Sequence, residues 1–480
     1  MEEREKLDRT LKPRWVWAIA FGSAVGWGAF VLPTDWLAKA GPLAAAIGFF
    51  IGAILMIIIG ISYGYLIKNH PVSGGEFAYA YLGFGRNHAF FAGWFLVLGY
   101  MSIVALNASA LALLVKFTLP EIAKVGLMYQ IAGWNVYAGE VIIACLALIV
   151  FAILNIRGAS ITGRTQFIFC LLLILGIIIL SISMFSHPDT VTTNLEPLFK
   201  PGVPAISAIL SIVAIAPWAY VGFDNIPQAA EEFNFSPKKA VWLIIFALLA
   251  AAITYSVMIF STAVAAPWTE LVQQESIWGT GDAVSSVLGQ VGVLILSLAL
   301  LMGVFTGLNG FYVSSSRLLF AMGRAQILPR SFAKLHPKYN TPYVGILFTC
   351  GITLMAPFFG REVLLWIVDM TSVGVTIAYF YCCAVAFKKI AWSSQSTTAE
   401  GEVSPLRKTI AFIGMLSGAA FLGLLIIPGA PGFLSTPSWV ALLVWMVLGI
   451  VFYIAKARTF HKIPESELDY LILGDQENRK

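Results

Sequence analysis

The sequence reads GSAVGWG at residues 22–28 and PWAYVGFDNIP at residues 217–227, and these two glycine- and proline-rich stretches are the main evidence for the fold. Glycine and proline at this density interrupt a helix, yet both stretches lie inside apolar runs long enough to cross a bilayer. Close helix packing and a proline kink would explain most of the 42 glycines, but not three glycines within seven residues. Interrupted helices at matching positions of two halves indicate the binding site of a secondary transporter.

Apolar runs bounded by charged or Pro/Gly-rich segments predict an all-α polytopic membrane protein with twelve transmembrane helices. The predicted spans are residues 14–39, 42–67, 88–117, 135–156, 160–186, 203–231, 238–265, 283–316, 341–358, 362–387, 408–428 and 436–457. Because the interrupted spans 1 and 6 are five spans apart, we expect a 5+5 inverted repeat. Spans 11 and 12 lie outside this repeat, so we expect them to pack peripherally or to form a homodimer contact.

This reading divides the chain into five parts. They are an N-terminal tail at 1–13, a transporter core at 14–389 with repeats at about 14–186 and 203–389, a loop at 390–407, helices 11 and 12 at 408–457, and a C-terminal tail at 458–480. The Lys and Arg distribution orients the chain, since cytoplasmic loops are rich in these residues. With both tails and the loop in the cytoplasm of a cell membrane, the Lys and Arg residues left on the other side are Lys39, Lys116, Lys124, Lys200 and Arg361.

Composition excludes a soluble protein. Hydrophobic residues make up 59% of the chain and charged residues 11%, with a mean hydropathy of +0.84, whereas soluble domains are roughly a quarter charged. The net charge of +5 is spread over short loops, so we expect the lipid bilayer and a small molecule as partners, and no nucleic acid. The five cysteines show no disulfide or metal spacing, and we expect no metal and no cofactor.

The interrupted helices supply two kinds of unpaired backbone group. N–H groups at the start of a half-helix favour a carboxylate, which places a carboxylate site at Gly26–Gly28. Carbonyls at the end of the preceding half-helix favour an ammonium group. The expected carbonyl donors are Ser23, Ala24, Trp218 and Ala219. A substrate with both charges on one small carbon frame is an amino acid.

Asp224 is the most informative ionisable residue, because an intramembrane carboxylate is costly and usually lines a pathway or a proton relay. Its alternative role is a structural cap for the second half of span 6. Asn107 lies near the middle of span 3, where it can bind substrate or form an interhelical hydrogen bond. Trp27 and Trp218 can occlude the substrate or simply pack.

Two coupling ions, sodium and the proton, remain open. A sodium site would pair span 1 carbonyls with span 8 hydroxyls. The serines at 314–316 adjoin Arg317 at the predicted membrane edge, whereas Thr306 lies about 16 Å deeper along a helix and is the candidate sodium ligand.

Four motifs resemble amino acid permeases of the amino acid, polyamine and organocation superfamily. They are GSAVGWGAFVLP at 22–33, PVSGGEFAYAYLGFG at 71–85, YVGFDNIPQAAEE at 220–232 and SSSRLLFAMGRAQILP at 314–329. The resemblance covers residues 14–389 and implies a leucine-transporter-like fold with alternating access. It also implies that Trp218 is a gating aromatic, that Asp224 is linked to a pH response and that Phe311 stacks on substrate. Trp27 stands where members commonly carry a small residue, and span 5 lacks, near Leu173, the lysine of some proton-coupled members.

The leading hypothesis is a secondary active transporter, symporter or exchanger, of small amino acids. The predicted substrate-binding residues are Ser23, Ala24, Gly26, Trp27, Gly28, Asn107, Trp218, Ala219, Gly222 and Phe311. The alternative is a transporter of an amine such as ethanolamine or putrescine, held by Asp224. An intramembrane enzyme would need a clustered nucleophile, metal ligands or a His–carboxylate pair, and a nutrient sensor would need a sizeable soluble domain.

Overall fold

A computed structural model describes residues 4–131, 134–274, 276, 278–359, 362–393, 405–430 and 432–474. Helices dominate this part of the chain, which confirms the all-α polytopic fold. Most of the predicted loop at 390–407 lies outside the described residues.

In its described residues, the first half of the chain has twelve α-helices and a small hairpin. They are α1 (Pro13–Val25), α2 (Gly28–Val31), α3 (Pro33–Ala40), α4 (Pro42–Asn69), α5 (Gly75–Phe84), α6 (Arg86–Thr118), α7 (Pro120–Ala123), β1 (Leu127–Ile131), β2 (Trp134–Tyr137), α8 (Ala138–Ile156), α9 (Ala159–Ser186), α10 (Ala205–Val213), α11 (Ala216–Ala219) and α12 (Asn225–Gln228). The antiparallel pairing of β1 and β2 was not predicted.

The described part of the second half has eight α-helices. They are α13 (Ala240–Ala263), α14 (Trp268–Gln273), α15 (Gly279–Arg324), α16 (Tyr343–Thr353), α17 (Glu362–Ser393), α18 (Pro405–Ile426), α19 (Thr436–Phe460) and α20 (Glu465–Leu473). Within the described ranges, nine helices are long and apolar enough to cross a membrane, and a tenth span is the pair Pro13–Val31 and Pro33–Ala40, bent by 73°. The other two predicted spans, 6 and 9, consist of shorter helices.

Both predicted interruptions are present. Within the first span, α1 ends at Val25, and Gly26 has a φ of +50°, a conformation that favours glycine. The sixth span divides into α10, α11 and α12, and Gly222 between the last two has a φ of +135°. The high density of glycine and proline therefore located both breaks.

Span 8 is longer than predicted. It runs as α15 over 46 residues, with a break at Gly289, and extends beyond the predicted end at residue 316 to Arg324. Arg317 does not mark a solvent-exposed edge, because its side chain is only 1% exposed and pairs with Glu232. The serines at 314–316 lie within this helix and are fully buried.

Both ends of the described chain lie on one face of the molecule. Residues 4–12, α5, residues 230–233 and α20 form this surface, here called the tail face. Leu11 pairs with Phe233 as a β-bridge, Arg4 Nε donates to Leu471 O at 3.3 Å, and the Tyr81 hydroxyl donates to Asp469 Oδ1 at 2.7 Å. Shared placement of the two ends fits an even number of spans.

The last two spans are peripheral. Helix α18 packs on α4 and α17, and α19 packs on α17 and α6. Their outer sides expose large apolar residues, including Leu416, Val444 and Val447, as expected for a surface that faces lipid. Asp369 of α17 accepts a hydrogen bond from Ser438 Oγ at 2.6 Å and so ties α19 to the core.

Candidate functional site

A small cavity lies between the two interruptions. Its volume is about 30 Å³, which is enough for roughly two water molecules. It is lined by Ser23, Ala24, Val25, Gly26, Trp27, Gly28, Ile103, Leu106, Asn107, Trp218, Ala219, Val221 and Tyr255. Eight of the ten predicted substrate-binding residues are thus brought together at one cavity.

The start of α2 offers unpaired N–H groups to this cavity. The Gly26 N–H donates to Gly22 O, which ends α1. The N–H groups of Trp27, Gly28 and Ala29 form no hydrogen bond with any residue that the structure describes. Unpaired N–H groups at a half-helix start attract a negatively charged group, so the predicted carboxylate site has the required donors.

The opposing carbonyls are partly engaged by a residue that the sequence did not single out. Tyr255 of α13 places its hydroxyl 2.6 Å from Ala24 O and 2.5 Å from Ala219 O. These carbonyls belong to the two interrupted spans, so one hydroxyl joins both breaks. The Trp218 carbonyl accepts the Val221 N–H at 3.4 Å. Of the four predicted carbonyl donors, Ser23 is the one that accepts nothing from the described residues.

Two tryptophans constrict the cavity. Trp27 and Trp218 pack edge to face with ring centroids 6.1 Å apart. Trp27 also lines a second small cavity, on the side away from the tail face, which is formed by Val31, Ala110, Leu113, Leu114, Phe117, Trp278 and Leu300. The Trp27 ring therefore separates two cavities, and a substrate larger than water requires it or Trp218 to move.

Two polar side chains at the cavity each have an oxygen atom with no hydrogen-bond partner in the described part of the chain. The Asn107 amide donates to Ile103 O at 2.8 Å within its own helix, and its Oδ1 atom has no donor among the described residues. The buried Ser23 hydroxyl is likewise unpaired there. Among the described residues, Asn107 forms no interhelical hydrogen bond, and its Oδ1 atom packs against Gly307 of α15.

Glycines of α15 allow this close approach. A Cβ at Gly303 would lie 2.1 Å from Gly26 O, one at Gly307 would lie 2.3 Å from Asn107 Oδ1, and one at Gly310 would lie 1.9 Å from Ser23 Oγ. All three distances are below any tolerable contact. Larger residues at Gly303 or Gly310 would therefore displace the first interruption, and a larger residue at Gly307 would displace the Asn107 side chain.

The remaining predicted site residues lie outside the cavity lining. Gly222 packs against the backbone of Ser23 and Ala24, where an added Cβ would lie 2.5 Å from Ala24 N. Its N–H donates to Asp224 Oδ1 at 2.6 Å. Phe311 is buried against Tyr100, with ring centroids 5.8 Å apart. Asp224 thus holds the shape of the second interruption and does not face the cavity.

Thr306 lies where the candidate sodium site was placed, and its hydroxyl is a donor. It reaches Gly22 O at 2.9 Å and Gly303 O at 2.8 Å. The Gln166 amide of α9 donates to Ala18 O at 3.2 Å and to Thr306 O at 3.1 Å. Protein donors therefore already bind the span 1 carbonyls, Ala18 O and Gly22 O, that a sodium ion beside Thr306 would share.

On the tail-face side, ion pairs close the space below the second interruption. Arg317 binds Glu232 through two hydrogen bonds, at 2.7 and 3.1 Å, and both side chains are at most 3% exposed. Glu231 binds Arg324 at 3.1 Å and Arg4 at 3.2 Å. These pairs show that the tail-face side is closed in this conformation.

The sequence model of the amino acid permease family matches residues 14–451, which includes both interruptions and every residue of the cavity. The chain belongs to the amino acid permease family. This permease is therefore a multi-pass membrane transporter and not an enzyme.

Relatives of this permease cover most of its length. The branched-chain amino acid permease BcaP of Bacillus subtilis is 25% identical over 466 residues, 93% of this chain and 92% of that protein. The methylthioribose transporter of the same organism is 27% identical over 473 residues, 95% and 94% of the two chains. The amino-acid permease RocC of B. subtilis is 25% identical over 411 residues, 80% and 81% of the two chains.

Sequence reasoning about this permease missed Tyr255, Gln166 and Glu76, which are all buried or nearly so. Tyr255 is a single tyrosine in an apolar span and has no pattern that marks it. Glu76 follows two glycines in a loop between spans, where a solvated charge is the usual expectation. Only the folded chain brings these side chains to the interruptions.

Proposed function

We propose that this permease is a secondary active transporter, a symporter or an exchanger, of small amino acids by alternating access. The observation that carries the proposal is the set of unpaired N–H groups at Trp27, Gly28 and Ala29 beside the cavity. Ser23, whose carbonyl accepts no hydrogen bond from the described residues, and Asn107 line the same cavity. A carboxylate and an ammonium group on one carbon atom match these donors and acceptors.

Substrate size is limited by Trp27. The cavity of about 30 Å³ must expand to admit any amino acid, and the Trp27 indole is the largest side chain in the loop that binds the carboxylate. Small amino acids need the smallest displacement of Trp27 and Trp218. The relatives named for branched-chain amino acids support amino acid transport.

An amine substrate is the second candidate. It would need Asp224 as the counter-ion of its ammonium group, but Asp224 is fully buried beneath Gly222 and binds the Gly222 N–H. This placement favours an amino acid over ethanolamine or putrescine. The relative named as a methylthioribose transporter adds a third class to test, a neutral sugar thioether.

We further propose that the tail face is cytoplasmic and that the permease resides in the cell membrane. The Lys and Arg distribution along the chain supports this orientation. The donors around Thr306 disfavour sodium at that position, because a cation there would have to displace the hydrogen bonds to the carbonyls of Ala18 and Gly22.

Thermal stabilisation of the purified permease tests the substrate class, because a ligand that binds only the folded state raises its apparent stability. The panel contains glycine, alanine, serine, valine and leucine, their decarboxylated amines, putrescine and methylthioribose. Stabilisation by a small amino acid but not by its amine supports the proposal. Stabilisation by amines alone, or by methylthioribose alone, would replace the carboxylate site at Trp27–Ala29 with another mode of binding.

A further inference from the structure

Two buried carboxyl groups meet beneath the second interruption. Asp224 lies between α11 and α12, and Glu76 is the second residue of α5; both are 0% exposed. The Tyr100 hydroxyl of α6 lies between them, 3.1 Å from Asp224 Oδ2 and 3.5 Å from Glu76 Oε1. Glu76 Oε2 accepts the amide of Gln228.

No basic side chain balances this pair in the described part of the chain. The groups that face it are the hydroxyls of Tyr63 and Tyr379 and the Cys382 thiol, all neutral, together with Tyr100 and Gln228. The neighbouring guanidinium groups of Arg317 and Arg324 bind Glu232 and Glu231 instead. Two adjacent carboxylates without a cation are strongly disfavoured away from water, so the pair retains a proton.

The hydrogen-bond donors also indicate that the two carboxyl groups hold one proton between them. Tyr100 has one hydroxyl proton and cannot donate to Asp224 and Glu76 together. With a proton on Glu76, the carboxylic acid donates to Tyr100 Oη while Tyr100 donates to Asp224. In a proton transfer, the Glu76 O–H bond breaks and its proton bonds to Tyr100 Oη, while the original Tyr100 O–H bond breaks and that proton bonds to Asp224. One proton has then passed from Glu76 to Asp224, and Tyr100 is again a neutral hydroxyl.

The pair also connects the tail face to the substrate cavity. Gly75, beside Glu76, packs on Pro227 so closely that an added Cβ would lie 2.9 Å from Pro227 Cβ. At the other end, Asp224 accepts the Gly222 N–H, and Gly222 packs on the Ser23 and Ala24 backbone. Protonation of Asp224 weakens this charge-assisted hydrogen bond and so loosens the second interruption where it touches the first.

We propose that Glu76 and Asp224 share one proton through Tyr100 and form the proton-binding site that couples proton movement to transport. This proposal rests on the proposed transport function. Glu76 is a positioning and proton-holding residue and does not touch the substrate. The proton then moves with the substrate because its two positions control the hydrogen bond that shapes the second interruption.

The test uses the full-length permease in liposomes that contain a pH-sensitive dye, with radiolabelled L-alanine or the amino acid that stabilises the protein most. We expect proton flux to accompany substrate flux in the wild type. In Glu76→Gln and Asp224→Asn, we expect the ratio of proton flux to substrate flux to fall at least tenfold. Asp369→Asn removes another carboxyl of the membrane domain and is expected to keep the wild-type ratio.

Each outcome separates the two proposals. A wild-type ratio in Glu76→Gln, or an equal loss in Asp369→Asn, overturns the assignment of the proton site. If the wild type shows substrate counterflow but no proton flux, proton coupling is overturned and the proposed transport function is retained. If the wild type shows neither counterflow nor thermal stabilisation by any substrate, the proposed transport function is overturned. Infrared spectroscopy at neutral pH gives a readout that does not depend on transport. A carboxylic-acid C=O band that is present in the wild type and lost in Glu76→Gln or Asp224→Asn supports the shared proton. If the wild type shows no such band, the shared proton is overturned.

Discussion

Replacing Arg317 by methionine should open the tail face. Arg317 and Glu232 are buried and doubly hydrogen-bonded, at 2.7 and 3.1 Å. Removing one member of such a pair costs about 3–5 kcal/mol, because the remaining charge stays buried and unpaired. If Glu232 becomes hydrated when the tail face opens, this cost shifts the closed-to-open equilibrium by roughly two to three and a half orders of magnitude.

Thiol labelling measures this shift directly. Ser73 is fully buried at the tail face, its hydroxyl has no partner within the described ranges, and its N–H donates to Glu231 Oε2 at 3.1 Å. A cysteine at Ser73, in a background with the five native cysteines replaced, should react slowly with a polar maleimide in the closed state. Adding Arg317→Met should raise the labelling rate at least a hundredfold, roughly in line with the cost of the broken pair.

A double variant is the control for charge. Arg317→Met with Glu232→Gln removes both charges, so labelling should return to within about tenfold of the parent rate, since a neutral pair leaves no buried unpaired ion. A parental labelling rate in Arg317→Met, together with a lower unfolding temperature, would refute the reasoning. That result would mean that the ion pair persists in every conformation and stabilises the fold without controlling access.

Three further predictions concern the cavity and the coupling ion. Tyr255→Phe should lower the free energy of unfolding by about 1–3 kcal/mol, because it leaves a carbonyl at the breaks unpaired. Thermal unfolding measures this loss. The control is Tyr379→Phe, which removes a hydroxyl without a described partner. In Trp27→Leu, the leucine concentration that gives half-maximal thermal stabilisation should fall about tenfold relative to the alanine concentration that does so. An unchanged ratio of the two concentrations would contradict the role of Trp27. Exchange of sodium for choline should leave the half-saturating amino acid concentration unchanged, whereas a tenfold loss would restore the sodium site at Thr306.

Local composition was sufficient to predict the interruptions. Gly26 and Gly222 adopt conformations that favour glycine, and the glycine and proline clusters around them are readable without any tertiary information. The carboxylate site followed from the same local argument, because N–H groups at the start of α2 have no partner within their own helix.

Long-range pairing could not be predicted in this way. Arg317 was read as a membrane edge because charge usually marks solvent, but Glu232, 85 residues earlier, buries it. For the same reason, the burial of Glu76 could not be predicted, since its partner Gln228 lies 152 residues away. Charge compensation depends on which segments meet, and the sequence pattern of one segment does not specify its partner.

The Tyr255 hydroxyl between Ala24 O and Ala219 O has one proton for two acceptors. Each carbonyl is therefore satisfied only part of the time. If the substrate is the proposed amino acid, its ammonium group would bind one carbonyl while the hydroxyl turns fully to the other. Binding would then add a hydrogen bond without breaking the one that Tyr255 makes, so this contact between the two interruptions would survive both loading and release.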